Sequence, residues 1–363
     1  MSHSIKKPKT VYIIGAGASD EVNLPVGDKL KSHIANVLDF RAIKGVSTQN
    51  GDEVIRDAFR IMAAQQTPPT ADYNPLLRTS RRIRDAMPQT ISIDNFIDAH
   101  SEDKEVEICA KLAIVRTILE AEAKSTLFID KSKEQRQLKY SHIEKTWYNS
   151  FWKLLSENCK LTDLEERLDS VVFIIFNYDR CIEHFLFHSV QNYYSISEAE
   201  AAQLLLRLEI YHPYGTVGKL PWQIPNQTVD SVDAAIGYGD TPNGAQLISL
   251  AKQIKTFSEG SNNVTSDVDN IRLNVMSANR LVFLGFAFHK LNLDLLLLNE
   301  PTTEAPPIRA VFSTGYGLAP SDKQLISSEL ATRGDISGST IYLQNEHKCF
   351  ELFKAYWRSL AFN

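Results

Sequence analysis

Apolar residues in this chain come in short runs separated by polar and glycine-containing turns. Six runs have the length of buried strands: 11–14 (VYII), 171–176 (VVFIIF), about 208–212 (LEIYH), 281–285 (LVFLG), 308–313 (IRAVFS) and 339–343 (STIYL). Between most of them the spacing becomes helical. Val26, Leu30, Ile34, Val37 and Leu38 share one face after the first run, with Pro25 at the predicted first helical position. Helices are predicted over 179–190, 289–299, 320–333 and 346–360, each after a strand, with a weaker helical stretch over 244–278. Strands alternating with helices predict an α/β fold, a mostly parallel sheet of about six strands with helices on both faces.

The interval between residues 14 and 171 is too long for that alternation. The stretch 65–90, rich in Pro and Arg, reads as loop. Beyond it, Ile108, Leu112, Val115 and Leu119 keep helical spacing, as do Ile143, Trp147, Phe151 and Leu154. The expected organisation is therefore a sheet domain made of 1–39 and 166–363, interrupted by a mainly helical insertion or cap over 40–165.

Composition narrows the classes. The chain has 363 residues, 43% of them apolar, which is enough for a large core. A net charge of -5 without a basic block argues against a surface that coats nucleic acid. Cys109, Cys159, Cys181 and Cys349 lie far apart and form no CxxC pair, so neither a structural zinc nor a disulfide framework is expected. No apolar stretch has membrane-spanning length and the N-terminus does not read as a signal peptide, so a cytoplasmic setting without membrane contact is expected.

Four strand ends carry candidate chemistry. The first is Gly15-Ala16-Gly17-Ala18-Ser19, followed by Asp20. A strand, a Gly-x-Gly turn and a helix start let backbone approach a pyrophosphate, which makes the sheet Rossmann-like. The full dinucleotide fingerprint is absent: its last glycine is Asp20 here, and no second strand with a terminal acid follows. A hydride-transfer dehydrogenase therefore fits poorly. The second is Asn177-Tyr178-Asp179, where either polar residue would also serve as a helix N-cap. The third is His212-Pro213-Tyr214-Gly215, whose histidine fits a structural role as well. The fourth is Gly285-Phe286-Ala287 with Asn292 beyond it, a pattern that close helix-on-strand packing alone would explain.

In that order and at those positions, the four motifs resemble the sirtuin-like (silent information regulator) superfamily. They are most similar to the bacterial sirtuin-like NAD hydrolases of anti-phage defence, over most of the sheet but not the insertion. The resemblance implies that Gly15 to Ser19, with Asp20, contact the NAD phosphates. It implies that Asn177 is catalytic with Asp179 beside it, and that Gly285, Ala287 and Asn292 lie near the adenosine ribose. The spacing of 35 residues from Asn177 to His212 suits the family. There are two departures. The paired cysteines of the deacylase zinc ribbon are absent, which argues against protein deacylation and leaves NAD cleavage. The family His-Gly pair is altered: Tyr214 precedes Gly215, and His212 lies two residues earlier. His212 is the expected base, because an imidazole accepts a proton near neutrality and a phenol does not.

The implied function is that of an NAD+ glycohydrolase that cleaves the nicotinamide–ribose bond and depletes NAD in abortive infection. NAD+ serves as substrate, and no metal is expected. Unregulated hydrolysis would kill the cell, so the resemblance also implies a silent state and an activating partner. Family partners include a hexameric HerA-like DNA-translocase ATPase, an Argonaute protein or a phage component, and a homo-oligomer is expected. The alternative from another class is a catalytically weak nucleotide-binding sensor or assembly subunit, which the Tyr214 departure favours.

Overall fold

The computed structural model describes residues 9–41, 50–134, 137–224, 235–260, 267–297, 310–333, 340–344 and 347–362. Six parallel strands form one sheet: β1 (Thr10–Ile14), β2 (Val171–Ile175), β3 (Glu209–Tyr211), β4 (Arg280–Leu284), β5 (Ala310–Thr314) and β6 (Thr340–Gln344). Their order is β3-β2-β1-β4-β5-β6, so the α/β fold is Rossmann-like, as expected. Residues 308, 309 and 339 of the expected strands lie outside the described residues.

β1 sits in the middle, with every residue buried. It pairs with β2 from Thr10 opposite Val171 and with β4 from Thr10 opposite Arg280. Alternate side chains serve opposite faces. Val11 and Ile13 join one core with Val172, Ile174, Leu281 and Phe283, while Tyr12 and Ile14 join the other with Phe173, Ile175, Val282 and Leu284. Both faces are covered, which is why the strands read as continuous apolar runs rather than alternating ones.

The first face is covered by α1 (Asp28–Val37), α2 (Glu53–Ala64), α3 (Asn74–Ala86), α4 (Ile93–Ala99) and α5 (Lys104–Lys124). The second is covered by α6 (Trp147–Ser156), α7 (Leu161–Leu168), α8 (Cys181–Tyr194), α9 (Glu198–Leu205) and the helix Cys349–Ala355. The helical segment between β1 and β2 thus divides over both faces and shares both cores with the sheet. α5 lies against α1, α2, α3 and the helix Gly244–Ala251, and is buried on several sides.

Some local expectations are corrected. Within 65–90, Asn74–Ala86 is helix rather than loop. Pro75 stands in its first turn, where proline costs nothing, and Leu76, Thr79, Ser80 and Ile83 form its buried stripe, leaving Arg78 and Arg82 exposed. Pro25 is not helical. A short 3-10 segment, Ala16–Val22, comes first and ends at Asn23 in the left-handed region, and α1 starts only after Gly27. The stretch 244–278 contains the helices Gly244–Ala251 and Val268–Ser277, with 261–266 outside the described residues. The expected helix over 289–299 is Lys290–Leu296, with 298 and 299 also outside them. The expected helix over 346–360 is two short ones, Cys349–Ala355 and Trp357–Leu360, with residue 346 outside the described residues.

Candidate nucleotide-binding cleft

The chain winds from β1 to β2 and β3 on one side and returns to β4, β5 and β6 on the other. Where the order reverses, the loops leaving neighbouring strands part and leave a crevice at the carboxyl edge. Two clefts open there. The first, of about 360 Å³, is lined by Gly15, Ala16, Asn177, Tyr214, Ala287 and Asn292 among others. The second, of about 420 Å³, lies towards β5 and is lined by Ala16, Gly17, Asp20, Gly285, Ala287 and Thr314 among others. Ala16, Gly27, Phe286 and Ala287 belong to both, so the clefts adjoin across them.

The waist between them is backbone against backbone. A Cβ on Gly15 would lie 2.5 Å from the Gly285 carbonyl oxygen, and one on Gly17 would lie 2.9 Å from Gly285 Cα. Gly285 has φ +56°, and its own Cβ would stand 2.1 Å from the Ala18 nitrogen. Gly15 N–H donates to Leu284 O (2.9 Å) and Gly17 N–H to Gly285 O (3.0 Å). Glycine is needed here because the loops after β1 and β4 touch. That contact is what brings Ala16 and Ala287 together at the rim.

Beneath the waist runs a buried hydrogen-bond chain. Asn177 Nδ2 donates to Gly15 O (3.2 Å) and to Ser19 Oγ (3.2 Å). Ser19 Oγ donates to Asp179 Oδ2 (2.9 Å), and Asp179 Oδ1 accepts from Cys181 N–H (3.1 Å). Asp179 therefore holds the first turn of α8 while it anchors Ser19. Burial raises its carboxyl pKa, against the pull of its hydrogen bonds from Cys181 and Ser19. Ala18 is wholly buried.

His212 lines neither cleft. Its Nε2 meets Glu183 Oε1 at 2.8 Å and its Nδ1 meets the Asn177 carbonyl oxygen at 3.3 Å. Burial pulls the imidazole pKa down, but the Glu183 carboxylate, with the Asn177 carbonyl and Asp179, pulls it up and the net shift is upward. Tyr214 does reach the first cleft, where its hydroxyl donates to Asn292 Oδ1 (2.7 Å). Burial raises its phenol pKa further. Gly215, with φ +73°, packs against Gln253 and lines neither cleft.

The structure adds residues that the strand-end motifs did not include. Ser92, Asp94 and Asn95 reach the first cleft from the start of α4, and His289 and Lys290 from the segment after β4. Ser92 caps α4 by accepting from Asn95 N–H (3.1 Å), a local signal for the helix start but not for its place in the cleft. Tyr178 O–H donates to Asp94 Oδ1. In the second cleft Lys348 Nζ lies 3.4 Å from Asp20 Oδ2 and 5.2 Å over the Tyr316 ring. Among the described residues, no three His, Cys, Asp or Glu side chains are grouped to hold a metal, and no helix is long and apolar enough to cross a membrane. The four cysteines are buried and unbridged.

The arrangement suits a ligand of two parts joined over the Ala16 rim. Comparison with protein-family models and with curated proteins found no match.

Proposed function

We propose that this chain binds NAD+ across the two clefts and cleaves the nicotinamide–ribose bond with water, as a sirtuin-like NAD+ glycohydrolase. One observation carries the proposal: two clefts at the switch point meet at the Gly15-Ala16-Gly17 turn, and Asn177 stands in one of them. The nicotinamide riboside half takes the first cleft, the adenosine half the second, and the pyrophosphate crosses the rim at Ala16.

Cleavage makes the ribose C1′ electron-poor as the neutral nicotinamide leaves, so the cleft must fix the ribose and admit one water. Asn177 has its amide nitrogen tied to Gly15 and Ser19, which locks its rotamer; this preorganised carboxamide orients a ribose hydroxyl or the water. Asp179 acts through Ser19, and Tyr214 faces the ribose. His212 holds the Asn177 main chain and is a positioning residue in this scheme. In this scheme the chain is a homo-oligomer that stays silent until an activating partner switches it on.

The test is Asn177→Ala with NAD+ consumption and nicotinamide release followed chromatographically. The variant should be inactive with an unchanged circular-dichroism spectrum; wild-type turnover in a folded variant removes Asn177 from the chemistry. The second reading, a nucleotide sensor without turnover, is favoured by the Tyr214 hydroxyl being already satisfied by Asn292 and by the absence of His212 from the lining of both clefts. It predicts NAD+ binding without consumption by the wild type.

A further inference from the structure

The first cleft holds a carboxylate that pairs with no lysine or arginine among the described residues. Asp94 lines it from the first turn of α4, on the segment between β1 and β2. Among the described residues no ion pair reaches Asp94, and the neighbouring lysines are engaged elsewhere. Lys31 is paired with Asp28 (2.9 Å) and donates to Thr90 O (2.6 Å), and Lys290 is paired with Asp294 (2.7 Å). The partner that Asp94 does have is the hydroxyl of Tyr178, the residue next to Asn177. Tyr178 is buried, so it fixes the carboxylate relative to Asn177 without neutralising it. An unpaired negative charge drawn out of bulk water costs free energy, and groups so perturbed cluster at functional sites.

Resting on the hydrolase reading above, we propose that Asp94 is the catalytic carboxylate of the cleft, taking the proton from the water that attacks ribose C1′. In that step the C1′–O bond forms and the C1′–N bond to nicotinamide breaks. The bonding pair goes to the pyridinium nitrogen, which becomes neutral, and the water proton goes to Asp94. The products are nicotinamide and ADP-ribose, and Asp94 later releases its proton to solvent. The same charge offsets the cationic character of C1′ before the water bonds. Tyr214, whose phenol stays protonated at neutral pH, and His212, outside the cleft lining, leave this role to Asp94.

The groups facing Asp94 are Tyr178, Tyr214, His289, Lys31 and Lys290. Burial raises the Asp94 pKa above the ordinary carboxylate value, while the Tyr178 hydrogen bond and His289 oppose it. A carboxylate so raised is a better base at neutral pH than an exposed one.

The experiment compares wild type, Asp94→Asn and Asp94→Ala with millimolar NAD+ over long incubations, alongside calorimetric NAD+ binding. Asp94→Asn keeps the shape and the Tyr178 contact; it should bind NAD+ within a few-fold of wild type and turn over ~10²–10⁴ slower. Asp94→Ala should regain turnover in proportion to added formate, which supplies an external carboxylate. Wild-type kcat should fall on the acid side as Asp94 protonates, and that limb should vanish in Asp94→Asn. An Asp94→Asn protein as active as wild type overturns this inference alone, as does an inactive Asp94→Ala without formate response. A wild type that binds but never consumes NAD+ overturns the hydrolase reading and this inference with it.

Discussion

Arg180→Met should be among the most damaging single changes outside the cleft. The Arg180 side chain is 1% exposed and that of its partner Glu122 is 0% exposed. Arg180 Nε donates to Glu122 Oε1 (3.1 Å), and Nη2 donates to Glu122 Oε2. Nη1 also reaches the carbonyls of Ile236 (2.6 Å) and Gly218 (3.2 Å), and Nη2 that of Gly237 (3.3 Å). Glu122 in turn accepts from Gly239 N–H (3.0 Å). One guanidinium thus ties α5 to the backbone at 218 and 236–237, close behind Asp179. Removing it strands a buried carboxylate and three carbonyls. Breaking one side of such a pair costs ~3–5 kcal/mol. For 363 residues the unfolding entropy makes each kcal/mol worth only ~1.3 °C, so the melting temperature should fall by roughly 4–7 °C. The double variant Glu122→Gln/Arg180→Met removes the stranded charge and should recover part of the loss, though the carbonyls stay unpaired. Scanning fluorimetry and urea unfolding of both variants decide the matter. A single variant that loses less than about 3 °C, or a double variant no more stable than the single, refutes the reasoning.

Three other outcomes are expected. Gly285→Ala puts a methyl group 2.1 Å from the Ala18 nitrogen at φ +56°, so it should cost roughly 1–3 kcal/mol in conformation alone and more in the clash, read as a lowered melting temperature; an unchanged one would contradict the backbone contact at the waist. His212 has a raised folded-state pKa, so its stabilising pair with Glu183 is fully present below the ordinary imidazole range and is lost as pH rises through the folded value. Wild-type melting temperature should therefore drop across that window and His212→Gln should show a flatter profile, while Tyr214→Phe, which touches the cleft, should alter NAD+ affinity instead; parallel profiles for wild type and His212→Gln count against the pair.

The sheet was legible because each strand is buried on both faces. Runs such as VYII and VVFII contain no polar residue to blur their period, and the turn residues that bound them are strong signals. α3 was misread because Pro75 and four arginines look like loop when the buried Leu76 and Ile83 are not weighed against them. Asn177, Tyr214, Ala287 and Asn292 converge because parallel strands end at one edge, a consequence of topology that motif order already carries. Asp94 was not legible in that way: it comes from the segment between β1 and β2, and nothing local says that α4 will fold back over the end of β2. His212 and Tyr214 share a strand end, but the chain turns at Pro213, and only packing decides which side chain faces the cleft.

The position of β1 also has a consequence for synthesis. Its two partners begin at Val171 and Arg280, so 171 − 10 = 161 further residues must be made before its first neighbour exists. At ~5–20 residues per second that is roughly 8–30 s during which this largely apolar strand has no lateral partner. β1 is thus enclosed on its second side only after β4 is made. During that wait Val11 to Ile14 are an apolar stretch of the nascent chain without strand partners.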